Sequence, residues 1–219
     1  MNERTITVKG IGSAKAKPDL IVITMNLTAA MPDYNKAMEL ANMELESIRD
    51  ALVSAGHDKQ DLKTTNFNVS TENESYKDAA GNWRSKFIGY SCSHELKLEF
   101  DFDMKQLGKT LGAIAASKTN PTFQIAFSVK DKNAVQTDLL KSAVSNATAK
   151  AETLTQAMGV KLGDVQHIDY NWGELHLYSN TRFNDSAIMA ANESAEMQIE
   201  PEDVEAADTV TITWSLELN

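Results

Sequence analysis

Two rhythms divide this chain. In some stretches every second residue is apolar; in others the apolar residues recur at steps of three and four. The first rhythm marks Leu20 to Thr28, where Ile21, Ile23, Met25 and Leu27 share one face and Thr24, Asn26 and Thr28 the other. It returns from Phe87 to Asp103, with Leu96, Leu98, Phe100 and Phe102 alternating against Lys97, Glu99, Asp101 and Asp103. Thr122 to Lys130 and Thr209 to Leu218 follow the same rule. Alternation of this kind predicts antiparallel strands with one covered and one wet face. Asp61 to Thr71 and Leu162 to Trp172 are predicted as further strands, and Glu72 to Arg84 as a polar hairpin tip around Asp78 to Asn82. Thr5 to Ile11 is a short strand that Gly10-Ile11-Gly12 should break with a turn or bulge.

The second rhythm predicts three helices. Pro32-Asp33 opens one that runs to about Ala55, before Gly56, with Ala37, Leu40, Ala41, Leu45, Ile48, Leu52 and Ala55 as its buried stripe. Glu44 falls near the edge of that stripe and reads as a snorkelling or paired side chain. Met104, Leu107, Leu111 and Ile114 space a shorter helix. The longest is Asp131 to Met158, about 40 Å at helical rise. Asp131 or Asn133 can cap its start and Gly159 supplies a left-handed stop. Its expected buried stripe is Leu140, Ala143, Val144, Ala147, Ala151, Leu154 and Met158, with alanine at the centre allowing close approach to a sheet.

In order, these elements give an α+β protein of two β-α-β-β-like halves, cut as 1–103 and 104–219, each with one long helix. Were the two sheets co-planar, both long helices would cover one face. The opposite polar face, or an edge strand, would then be free for self-association.

The length of 219 residues suffices for a substantial core, and a composition of 42% apolar and 24% charged residues is ordinary for a globular chain. Charge is the departure. The net value of −10 argues against nucleic-acid partners and against an anionic membrane surface. Nine carboxylates and one base, Arg182, lie between Glu174 and Asp208, which reads as a mobile or peripheral acidic segment. No apolar run is long enough to span a bilayer. No basic-plus-apolar leader opens the sequence, so the expectation is a cytoplasmic protein, or a periplasmic or envelope one whose leader has been removed.

Candidate chemistry is sparse. Cys92 is the single cysteine, so no intramolecular disulfide forms. Cys92 and His94 share one face of a strand, with the parity of Leu96 and Leu98, which points to the covered side. They are candidates for a metal site or a Cys-His nucleophile, against the plainer expectation of core packing. His167 and Asp169 form a second same-face pair, and with His176 could bind a divalent metal; a polar strand face running into a loop is the plainer alternative. No zinc signature, phosphate loop, nucleophile elbow or cofactor motif is present. Trp83, at the hairpin tip, is a candidate partner anchor unless it folds back on its own hairpin.

One set of residues resembles a known family. Val8-Lys9-Gly10-Ile11-Gly12 with Pro18-Asp19 before an apolar strand is similar to the opening of the SIMPL domain. So are Ser54-Ala55-Gly56 followed by Asp61-Leu62-Lys63-Thr64, and Gly89-Tyr90 before the return strand. Ala143, Ala147 and Ala151, then Met158-Gly159 with Leu162-Gly163-Asp164-Val165, and Ile199-Glu200-Pro201 before Val210-Thr211-Ile212 continue the likeness from about Thr5 to Leu218. Where relatives commonly carry Pro-Tyr after the third strand, this chain has Val69-Ser70-Thr71-Glu72. The resemblance implies that both halves form one SIMPL domain, with self-assembly, a link to oxidative-stress tolerance or kinase signalling, and no agreed catalytic residues. The expectation is therefore a non-enzymatic, self-associating interaction module without cofactor. The alternative is a metal- or small-ligand-binding protein or enzyme using His167, Asp169 and His176, or Cys92 and His94.

Overall fold

The alternating stretches do become strands and the 3.6-periodic ones helices. In chain order these are β1 (Thr5–Ala16), β2 (Leu20–Met31), α1 (Tyr34–Ser54), β3 (Lys63–Lys77), β4 (Trp83–Asp101), α2 (Met104–Ala116), β5 (Thr122–Ser128), α3 (Lys132–Met158), β6 (Lys161–Asp169) and β7 (Val204–Glu217). The computed structural model describes residues 4–170, 175–181 and 199–217. The architecture is α+β, and the strands form two sheets, ordered β1-β7-β6 and β3-β4-β2-β5.

These sheets define two compact units, neither of them continuous in sequence: residues 1–19, 128–180 and 201–219 make one, and residues 20–127 and 181–200 the other. A cut at 103/104 would part β1 from β7, although all twelve residues of β1, from Thr5 opposite Ser215 to Ala16 opposite Val204, pair with that strand. The ladder between the chain's two ends, not sequence proximity, sets the boundary.

In the four-stranded unit, β2 runs antiparallel to β4 with Ile21 opposite Phe100, Ile23 opposite Leu98 and Met25 opposite Leu96. These side chains face α1 and α2. Leu45, Ile48 and Leu52 from α1 and Leu107, Leu111 and Ile114 from α2 close over them, with Ile125 and Phe127 of β5, as one apolar cluster. Asp33 caps α1 by accepting from the Lys36 N–H, and Asp103 caps α2 by accepting from Lys105 and Gln106. The opposite face of β2 carries exposed Thr24, Asn26 and Thr28, as the alternation requires.

β3 lies at the edge of this sheet, antiparallel to β4, and is exposed along nearly its whole length. It extends well past the expected Thr71 because the polar stretch after it continues the ladder to Lys77 opposite Trp83. The turn is made by Asp78, whose carboxylate accepts from the Ala80 and Asn82 N–H groups and from Arg84 Nε.

In the three-stranded unit, α3 covers one face. Asp131 accepts from the Ala134 N–H at its start, and Gly159 ends it at φ 69°. The buried row is Val135, Leu139, Ala143, Ala147, Ala151 and Thr155, while Val144, Leu154 and Met158, expected inside, are 42%, 48% and 70% exposed. The seam is a single line of residues four apart, narrower than a typical stripe, because it meets glycine. A Cβ on Gly10 would stand 2.1 Å from the Ala143 carbonyl oxygen, and one on Gly12 2.2 Å from that of Leu139. The two glycines therefore do not break β1. They let strand and helix backbones touch, and β1 runs on to Ala16.

The acidic stretch also differs from expectation where it is described. Leu177 and Val204 are buried together with Val129 and Val135. β7 begins at Val204, so Glu205 and Asp208 are strand residues, Glu205 paired with Lys15 and Asp208 accepting from the Tyr170 hydroxyl. Residues 182–198 lie outside the described residues, as do Trp172 and Glu174.

Candidate functional site

Cys92 and His94 project from the α1-covered face of β4, as their parity predicted. Cys92 sits between Ala29 of β2 and Val69 of β3, and His94 between Leu27 and Phe67. Cys92 is wholly buried among Ala29, Ala37 and Ala41, and its thiol points at the Met38 sulfur on α1 at 3.6 Å. Burial pushes the Cys92 thiol above its ordinary range, so it is no ready nucleophile. The His94 ring is 7% exposed and packs on Phe67 at 4.5 Å between centroids. Among the described residues neither of its nitrogens has a hydrogen-bond partner, and the buried Arg49 Nε is likewise unpartnered. Burial, then the Arg49 charge, depresses the His94 pKa. A buried imidazole with both nitrogens unmet is unusual, since burial without a hydrogen bond costs free energy.

His167 and Asp169 do share a face. They stand opposite Thr213 and Thr211, on the side of the sheet turned away from Ile212, Trp214 and α3, and both are exposed. His176 does not join them. It lies three residues from Ser179, which bridges to Val204 at the start of β7, and Val204 is seven residues, about 23 Å, from Thr211. No three His, Cys, Asp or Glu side chains gather into a metal-holding group among the described residues.

Trp83 stands out at 70% exposure, with the Lys77 ammonium 5.1 Å from its ring centre. Tyr76, Phe87 and Ile88 of the same hairpin are also exposed. The arm thus presents an aromatic surface that the expected fold-back would have hidden.

Sequence reasoning missed how differently the sheet edges are treated. Three α3 side chains reach the outer edge of β1: Asn146 accepts from the Ile11 N–H at 3.0 Å, Ser142 Oγ accepts from the Ser13 N–H at 3.2 Å, and Lys150 donates to the Lys9 carbonyl at 3.3 Å. Asn146, Ser142 and Lys150 fall at four-residue steps beside the alanine row, the only signal the sequence offered. Along the outer edge of β3 no such capping bond occurs among the described residues.

Known proteins match this chain in sequence along most of its length. The SIMPL profile, described as a protein of unknown function (DUF541), spans residues 6–214. The chain belongs to the SIMPL family. Among relatives of this SIMPL chain is the 26 kDa periplasmic immunogenic protein of Brucella melitensis, 30% identical over 74% of the chain and 65% of that protein. Its Brucella abortus counterpart matches to the same extent. The uncharacterized protein YggE of Edwardsiella ictaluri is 24% identical over 96% of the chain and 86% of its own length. The match thus spans just under two thirds of the Brucella proteins. No described helix is long and apolar enough to cross a membrane.

Proposed function

We propose that this SIMPL protein is a non-enzymatic interaction module whose copies associate by pairing β3 edges, and that it works in the cell envelope. The observation that carries the reading is the contrast between edges: β1 is closed by α3, whereas β3, fifteen residues long, pairs with β4 on one side and has no strand on its other side among the described residues. An open edge is a template for another strand, and proteins usually blunt it with charge or proline. From Thr64 to Thr71, β3 has neither, and its one irregularity there is the register shift between Thr64 and Asn66. Two copies meeting antiparallel would join four-stranded sheets into eight across a two-fold axis. The exposed Tyr76, Trp83 and Phe87 on the adjoining arm supply aromatic contact area of the kind that anchors partners. The envelope setting is supported by the name of the Brucella relatives, and a role in stress tolerance or signalling would be exercised by the assembled form.

Light scattering on the full chain at high concentration tests the association. A dimer or larger species is expected, and Asn66→Lys with Asn68→Lys, both exposed on β3, should return it to monomer. A strictly monomeric native chain would sink the reading, as would an oligomer indifferent to both lysines.

A further inference from the structure

We propose that Met38, Cys92 and His94 form a binding site for a soft monovalent cation of the Cu(I) class. The donor set is a thiol, a thioether and an imidazole, which together favour soft ions over Mg, Ca or Mn. Two of the three already meet: the Cys92 and Met38 sulfurs are 3.6 Å apart, a separation that two sulfurs sharing one ion at about 2.3 Å each can adopt. His94 is the next residue on the same face of β4, with its nitrogens buried and committed to nothing else. A structural histidine in a core normally donates or accepts somewhere; this one has a ligand's free lone pair. Met31 packs against the same cluster and adds a second thioether nearby.

Charge selects the valence. On binding, the Cys92 thiol releases its proton to solvent as the sulfur–metal bond forms, and the thiolate cancels a single positive charge. A divalent ion would leave one positive charge unbalanced among buried side chains, with the Glu46-paired Arg49 guanidinium adding to the cost because its charge already bears on His94. Phe67, tilted against the His94 ring and itself 41% exposed on the edge strand β3, is the neighbouring side chain whose movement would admit the ion.

The test is anaerobic titration of the reduced full chain with Cu(I) against the chelator bicinchoninate, alongside Cys92→Ala, Met38→Leu and His94→Leu. One Cu(I) per chain is expected. Binding should vanish in the Cys92 variant and weaken by about tenfold or more in each of the other two. Circular dichroism confirms that each variant is folded, and Met38→Leu, which conserves volume, keeps the test decisive if the others unfold. Failure of the native chain to hold Cu(I) against the chelator overturns the proposal. So does unchanged affinity in Cys92→Ala, or native affinity in both Met38→Leu and His94→Leu, which would mean a bare thiol and no site.

Discussion

His57 gives the chain a titrating group inside a core. It follows the left-handed Gly56 that ends α1, its N–H donates to the Leu52 carbonyl, and its ring lies 7% exposed against Phe100. The Nε2 atom is 2.7 Å from the Thr110 hydroxyl and 3.2 Å from the Gln106 amide, both on α2, so the ring ties the two helices together. The Thr110 hydroxyl donates to the Gln106 carbonyl and the Gln106 amide to that of Ala55, so the Thr110 oxygen is left to accept from Nε2–H. Burial depresses the His57 pKa, with Asp61 partly opposing. As pH falls below the ordinary histidine value of about 6.5, the unfolded chain takes the proton first, so stability present above that value is lost on acidification. Urea unfolding at pH 7.5 and 5.0 should show a larger drop for the native chain than for His57→Gln. Equal drops would mean that His57 contributes nothing to the acid limb.

At the scale of elements, periodicity was a sound guide to which residues alternate and a poor one to what covers them. β2, β4 and β7 alternate as written because each has a partner strand on both sides and one helix-covered face. β1 was legible only to Ile11, since local propensity counts glycine against a strand, whereas the ladder to β7 and the contact with α3 depend on residues some 130 to 200 positions away. For the same reason Val144, Leu154 and Met158 looked buried: hydrophobicity widens a stripe that the glycine seam keeps narrow. Of the candidate site, the shared parity of Cys92 and His94 could be read, but not the nearness of Met38 or the unmet imidazole nitrogens, which come from α1 crossing the sheet. The capping of β1 makes a further expectation here. Replacing Asn146 and Ser142 together by Ala frees two edge N–H groups at a cost of about 1 kcal/mol each or less, because the sites are exposed. The larger effect should be on association: an additional open edge should give species heavier than the native assembly by light scattering. A variant with native mass and lowered stability alone would show that the caps serve α3 docking, not edge protection.

For the whole molecule, association must contend with a net charge of −10 on every copy. Like-charged partners repel, and at low ionic strength that repulsion reaches well beyond contact distance, about 30 Å at 0.01 M against about 8 Å at 0.15 M. The run proposed to pair, Thr64 to Thr71, has no charge of its own, so salt has no attraction to weaken there and only repulsion to screen. Lys63 at one end of β3 and Glu72, Glu74 and Lys77 at the other leave the strand itself balanced, with two bases and two acids. Raising sodium chloride from about 0.01 M to 0.15 M should therefore strengthen self-association, with the midpoint of a dilution series moving to lower protein concentration. An interface made of ion pairs, such as the acidic residues near Asp203 meeting a basic patch on a second copy, would respond in the opposite sense, weakening as salt rises. The sign of the salt dependence thus distinguishes pairing through the uncharged edge from docking through charge, even before a variant is made. If association weakens with salt, β3 is the wrong surface, and the two lysine substitutions in it should then leave the mass unchanged.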